Sequence, residues 1–211
     1  MIELKNVCFN YKDEIIFDNF SQVIETNKIT TIKGQSGKGK TTLLNILAGF
    51  EIPHSGTIFF DKIEINHLTI SNLRKQIAWL PQNFNITVDN VKELFYSVFN
   101  LKINKKNKPS LEQINEIFSK IGLEKEIINK KIDEISGGQK QRIILASLLL
   151  SNKKYVILDE PSSALDELST KKILQEFKIK KNTTVIISSH DKTIIENSDN
   201  IIDLDKNISK N

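Results

Sequence analysis

The sequence predicts an α/β fold in which short strands and helices alternate around a mostly parallel sheet. Three observations predict it. Short, β-branched apolar runs recur at Ile29–Ile32, Val156–Leu158, Val185–Ile187 and Ile201–Leu204. Apolar residues at helical spacing separate such runs, as with Leu43, Leu44, Ile46, Leu47 and Phe50. A glycine-rich stretch, Gly34 to Gly39, lies where one strand gives way to one helix.

Taken in order, residues 1–33 read as strands, with Ile2–Leu4, Val7–Phe9 and Ile29–Ile32 at strand spacing. A helix over Thr41–Phe50 is stopped near Gly49. Thr57–Phe60 reads as a strand, and Asn72–Lys75 as a short helix leading into the strand Ile77–Leu80, which Pro81 ends. The middle has a different texture. Val88–Phe99 has helical spacing, and a Lys/Asn-rich loop runs on to Pro109. Ser110 and Gln113 have the spacing of a capping box for a helix reaching Ile121, with Gly122 as its stop. A further helix follows Ser136 and reaches about Leu150. The alternation then returns, with strands at Val156–Leu158, Val185–Ile187 and Ile201–Leu204 and a helix over Ser169–Lys178. The polar residues Lys206 to Asn211 are expected to fray. The expected organisation is a single domain over 1–211, with a core at 1–83 and 143–211 and a helical subdomain at about 84–142.

Composition narrows the function. The 211 residues, 39% hydrophobic and 27% charged, suit one large domain or two small subdomains and exclude a disordered chain. The single Cys8 permits neither an internal disulfide nor a zinc site built on cysteines, and it reads as a buried strand thiol. Met1–Lys5 carries an acid at position 3 and no apolar h-region, so no signal peptide is expected. The apolar stretches at Ile143–Ala146 and Leu148–Leu150 fall far short of the ~20 residues a membrane span needs. A net charge of +4 raises nucleic-acid binding. The lysine runs at 102–108 and 178–181 carry no interleaved aromatics, so they read as solvated surface and no nucleic-acid partner is expected.

The strongest chemistry lies in Gly34-Gln35-Ser36-Gly37-Lys38-Gly39-Lys40-Thr41, which matches G-x-x-x-x-G-K-[ST] between a strand and a helix. Glycines let the backbone close around phosphate oxygens with its N–H groups inward, and the helix N-terminus adds partial positive charge. Lys40 would reach the β- and γ-phosphates, the Thr41 hydroxyl would bind Mg²⁺, and Thr42 would help with the α-phosphate. Lys38 belongs to the stretch but occupies a free position of the motif. A second metal residue belongs at the end of a buried strand, and Tyr155-Val156-Ile157-Leu158-Asp159-Glu160 supplies two carboxylates there. Asp159 fits as the Mg²⁺ partner and Glu160 as the general base that orients the attacking water.

Over nearly the whole chain these residues resemble the nucleotide-binding domain of ABC (ATP-binding cassette) ATPases. Ile135-Ser136-Gly137-Gly138-Gln139 is similar to that family's signature L-S-G-G-Q, with Ile for Leu. The resemblance implies a P-loop NTPase core, an antiparallel N-terminal β subdomain and an inserted α-helical subdomain. It also implies that Tyr11 stacks on adenine and that Gln82 touches Mg²⁺ and the attacking water. It makes Ser163-Ala164-Leu165-Asp166 a loop at a subunit interface and His190 a switch residue on the γ-phosphate. His54 and His67 match nothing in the pattern and read as loop residues.

In this family two domains close head-to-tail around two ATP molecules. The resemblance implies that Ser136, Gly137, Gly138 and Gln139 of one copy complete the Lys40 site of the other, the same chain in a homodimer. The implied function is an Mg²⁺-dependent ATPase subunit at the inner face of the cell membrane. It would power a separate integral-membrane permease, in a small bacterial two-component system of export type. The alternative is a soluble ABC ATPase, such as an iron–sulfur assembly factor. A P-loop kinase or GTPase leaves Ser136–Gln139 without a purpose.

Overall fold

The computed structural model describes residues 1–84, 86–101 and 103–207. The expectations at Lys102 and at 208–211 lie outside the described residues.

The chain opens with β1 (Ile2–Tyr11) and β2 (Glu14–Ile24), joined through a tight turn in which Lys12 takes a φ of 52°. The free edge of β1 pairs antiparallel with β4 (Ser55–Phe60), which pairs with β5 (Ile63–Glu64). These form a four-stranded antiparallel sheet in the order β2-β1-β4-β5. A second sheet is wholly parallel and contains β3 (Ile29–Lys33), β6 (Ile77–Leu80), β7 (Tyr155–Asp159), β8 (Thr184–Ser188) and β9 (Asn200–Asp203). Its order is β6-β7-β8-β3-β9. All five residues of both β7 and β8 are buried, which explains why their sequences read as continuous apolar runs rather than alternating ones.

The pleat of β7 divides the interior in two. Tyr155 and Ile157 face a core shared with the antiparallel sheet and with α1 (Lys40–Ala48). Val156 and Leu158 face the other core, built on α3 (Val91–Tyr96), α4 (Leu111–Lys120), α5 (Gly137–Leu150) and α6 (Glu167–Ile179). Packing rather than capping holds α1. It has no side-chain cap, whereas Leu43, Leu44, Ile46 and Leu47 are buried at about 2 kcal/mol each, more than the ~1 kcal/mol of a cap.

The capping box at Ser110 and Gln113 is present in full, and α4 ends as expected with Gly122 just beyond its C-cap. The Val88–Phe99 helix is shorter than its spacing suggested. Asn90 caps it by accepting from the Glu93 N–H at 2.9 Å, so the helix starts at Val91, and it ends at Tyr96. Phe99 still reaches the core by stacking on Phe95 from the following turn. Short helices α2 (Ile70–Arg74), α7 (Lys192–Glu196) and α8 (Leu204–Asn207) complete the set. Lys206, expected in a frayed tail, lies in α8. Cys8 is on β1 but only half-buried, with the Asn19 N–H donating to its Sγ at 3.3 Å.

Candidate functional site

At the carboxyl ends of β3, β7 and β8 the chain forms a cleft of about 630 Å³. Its floor is the turn from β3 into α1. Gly34, Gln35, Ser36, Gly37 and Gly39 border it, followed by Lys40, Thr41 and Thr42 at the start of the helix. Gly39 takes a φ of 82°, and a Cβ there would lie 2.5 Å from Ile16 Cγ2, so β2 forms a wall that only glycine fits. The Lys40 ammonium folds back over the turn and donates to the carbonyls of Gly34 at 2.8 Å and Gln35 at 3.3 Å. A positive charge therefore sits beside the N-terminus of an uncapped helix, an arrangement suited to anions. Lys38 is half-buried and does not border the cleft.

The carboxylates arrive from β7. Asp159 is the last residue of that strand, only 2% exposed, and its Oδ2 accepts the Thr41 hydroxyl at 2.8 Å. Its Oδ1 accepts the hydroxyl of Ser188, the last residue of β8. Glu160 follows with a φ of 47°, a left-handed conformation unusual for a residue with a side chain. The turn holds its carboxylate 3.2 Å from His190 Nδ1. The histidine ring is well exposed, whereas the glutamate side chain is mostly buried. Gln82, from the turn after β6, and Ser163 border the same cleft. Tyr11 stands at its mouth, half exposed, edge-on to Phe9 and with its hydroxyl 3.4 Å from Glu51 Oε1.

The donors offered to a cation are the hard oxygens of Thr41, Asp159 and Gln82, which suit Mg²⁺ and not a soft metal. Among the described residues no cluster of three His, Cys, Asp or Glu could cage a metal alone. That fits an ion which takes one or two protein ligands and completes its shell with phosphate and water.

Ser136, Gly137, Gly138, Gln139 and Asp166 do not reach this cleft. Ser136 and Gln139 form a capping box that opens α5, with bonds of 3.2 and 2.8 Å. A Cβ at Gly138 would lie 2.6 Å from the Ala164 carbonyl oxygen, so glycine lets this turn press against the 163–166 loop. A Cβ at Gly137 would meet nothing within 4 Å. Asp166 caps α6, accepting the Ser169 N–H at 2.8 Å and the Ser169 hydroxyl at 2.9 Å. Those two bonds, the backbone one first, hold its carboxyl below the usual range. The helix start is tied to the cleft from behind, where buried Gln141 donates to the Pro161 carbonyl at 2.9 Å. His54 leans on the Phe9 ring, and neither it nor His67 borders the cleft.

Sequence reasoning missed Glu14 and Ile16 as cleft residues, buried Ser188, which bonds Asp159 from behind the cleft, and Asp205, whose carboxylate accepts the Gln35 N–H at 3.2 Å. Only Ser188 left a signal, a hydroxyl ending the apolar run Val185-Ile186-Ile187.

Comparison with known proteins agrees with this geometry. The family model described as "ABC transporter" matches residues 17–163. The export ATP-binding/permease protein RT0691 of Rickettsia typhi is 39% identical over 97% of this chain, and the chain spans 37% of that protein's length. The zinc import ATP-binding protein ZnuC of Rickettsia bellii is 36% identical over 99% of this chain and 84% of its own. Among solved structures, the ATP-binding cassette MJ0796 in a dimeric, post-hydrolysis state bound to ADP and Pi is 28% identical. It has a TM-score of 0.77, over 96% of this chain and 94% of its own. A bacterial Atm1-family ABC exporter with ATP bound is 25% identical with a TM-score of 0.85, over 99% of this chain and 38% of its own. The family match over residues 17–163 and the identity to relatives named for ATP binding show that the chain belongs to the ABC transporter family, as an ATP-binding cassette.

Proposed function

We propose that this cassette hydrolyses ATP with Mg²⁺ and, by head-to-tail closure of two copies around two nucleotides, drives transport through an integral-membrane permease. The observation that carries the reading is the separation of the two glycine turns. The cleft gathers Lys40, Thr41, Asp159, Glu160 and His190, while Ser136–Gln139 lies outside it. A second copy is the simplest source of the missing wall.

In this reading the backbone of Gly34–Thr42 and the Lys40 ammonium bind the phosphates, and Tyr11 packs on the base. Thr41, Asp159 and Gln82 would hold the metal, which would supply positive charge against the phosphates. Glu160 orients the attacking water and accepts its proton, and His190, 3.2 Å away, senses the terminal phosphate. Ser136, Gly137, Gly138 and Gln139 of the partner copy close the site, and Asp166 shapes the loop at that contact by capping α6.

Residues 1–211 act as one unit, with a core at 1–83 and 143–211 and a helical subdomain at about 84–142. The buried apolar residues of 84–142, from Val91 to Ile135, join only one of the two cores, which supports a segment inserted on one face of the sheet. Among the described residues no helix is long and apolar enough to cross a membrane. A relative's name joins an ATP-binding part to a permease, and on that likeness we assign the cassette to the inner face of the membrane, held by the permease. Relatives of both directions match at similar identity, 39% for an export protein and 36% for a zinc importer, and the proposal holds for either direction.

Light scattering on the Glu160→Gln variant tests the closure. ATP is expected to double the mass of the particle from 24.1 kDa, and a persistent monomer at saturating ATP would count against the composite site.

A further inference from the structure

Ser188 ends β8, is fully buried, and through one hydroxyl touches the Asp159 carboxylate and the Glu160 backbone N–H. That hydroxyl donates to Asp159 Oδ1, since an ionised carboxylate can only accept. Its lone pairs then face the Glu160 N–H, which donates to Ser188 Oγ at 3.1 Å and to the Ser188 carbonyl oxygen at 3.1 Å. The same N–H belongs to the left-handed residue whose carboxylate meets His190.

We propose that Ser188 is a positioning residue, fixing the Asp159 side chain for the cation and the Glu160 backbone for activation of water. The inference rests on the proposed reading of the cleft. Asp159 is gripped from both sides, by Thr41 of α1 on Oδ2 and by Ser188 on Oδ1. Once the Thr41 hydroxyl turns to a cation, Ser188 is the grip that stays. A hydroxyl present only to fill β8 would not also bond the amide of the next strand's turn. The neighbouring Ser189 shows the difference. It is equally buried, but its Oγ accepts the Asp191 N–H at 3.0 Å and bonds neither Asp159 nor Glu160.

The test uses the full chain with Ser188→Ala and Ser188→Thr, each first shown to melt as the wild type does. A fluorescent ATP analogue is titrated without metal and with rising Mg²⁺. Ser188→Ala should bind the metal-free analogue within about twofold of wild type and need about tenfold more Mg²⁺ for tight binding, the effect of one lost hydrogen bond to a charged group. In steady-state ATPase assays kcat should fall while KM changes little. Ser188→Thr, which keeps the hydroxyl, should restore both. An unchanged Mg²⁺ requirement in Ser188→Ala, an equal loss of metal-free binding, or failure of Ser188→Thr to restore would overturn the assignment. Wild-type protein that binds the analogue in neither condition would instead overturn the proposed function.

Discussion

Two glycine-rich turns open two helices in this molecule, and they are built in opposite ways. The turn at Gly34–Thr41 leads into a helix with no side-chain cap, and Lys40 arches over it onto its own carbonyls. The turn at Ser136–Gln139 is satisfied by its own capping box and braced at Gly138 against Ala164. The first has walls from the same chain, with Ile16 and Phe17 close to Gly39 and Asp159 bonded to Thr41. The second presents Gly137 to open space. A helix start with free N–H groups beside a cation can hold an anion alone. A self-satisfied start that faces outward acts only on something brought to it.

Substitutions can break that contrast, and the largest effects belong in the cleft. Glu160→Gln should cut steady-state hydrolysis about 10²–10⁴-fold, measured by phosphate release, with nucleotide binding retained. Lys40→Ala should weaken ATP binding about 10–100-fold by fluorescence titration, because charge-assisted bonds to phosphate are lost. In the outward turn the two glycines should separate. Gly138→Ala forces a Cβ to 2.6 Å from a carbonyl and should cost about 2 kcal/mol, a fall of roughly 4–8 °C in Tm by calorimetry. Gly137→Ala meets nothing and should stabilise the first turn of α5 by about 0.5 kcal/mol. If Gly137 serves a partner, the same variant should lose ATP-driven dimerisation despite its intact fold.

Much of this was legible in the sequence, for a physical reason. Phosphate binding needs consecutive backbone N–H groups, so Gly34–Thr41 is a local pattern that sequence displays directly. Asp159 and Glu160 were legible because a fully buried strand must be apolar until it emerges at the site. What stayed hidden depends on contacts between distant segments. Ser188 bonds residues at the end of the neighbouring strand, and Asp205 reaches Gln35 from the end of the described chain. The shorter α3 has a local origin, since Phe99 finds the core from a turn as readily as from a helix.

Complementation between two inactive variants tests the shared site most directly. Lys40→Ala removes the phosphate grip and Gly137→Glu blocks the outward turn, so each protein alone should hydrolyse almost no ATP. Mixed in equal amounts, half of the dimers carry one intact site, and activity should return to about a quarter of wild type. A mixture no more active than its separate components would contradict a site completed by a second copy.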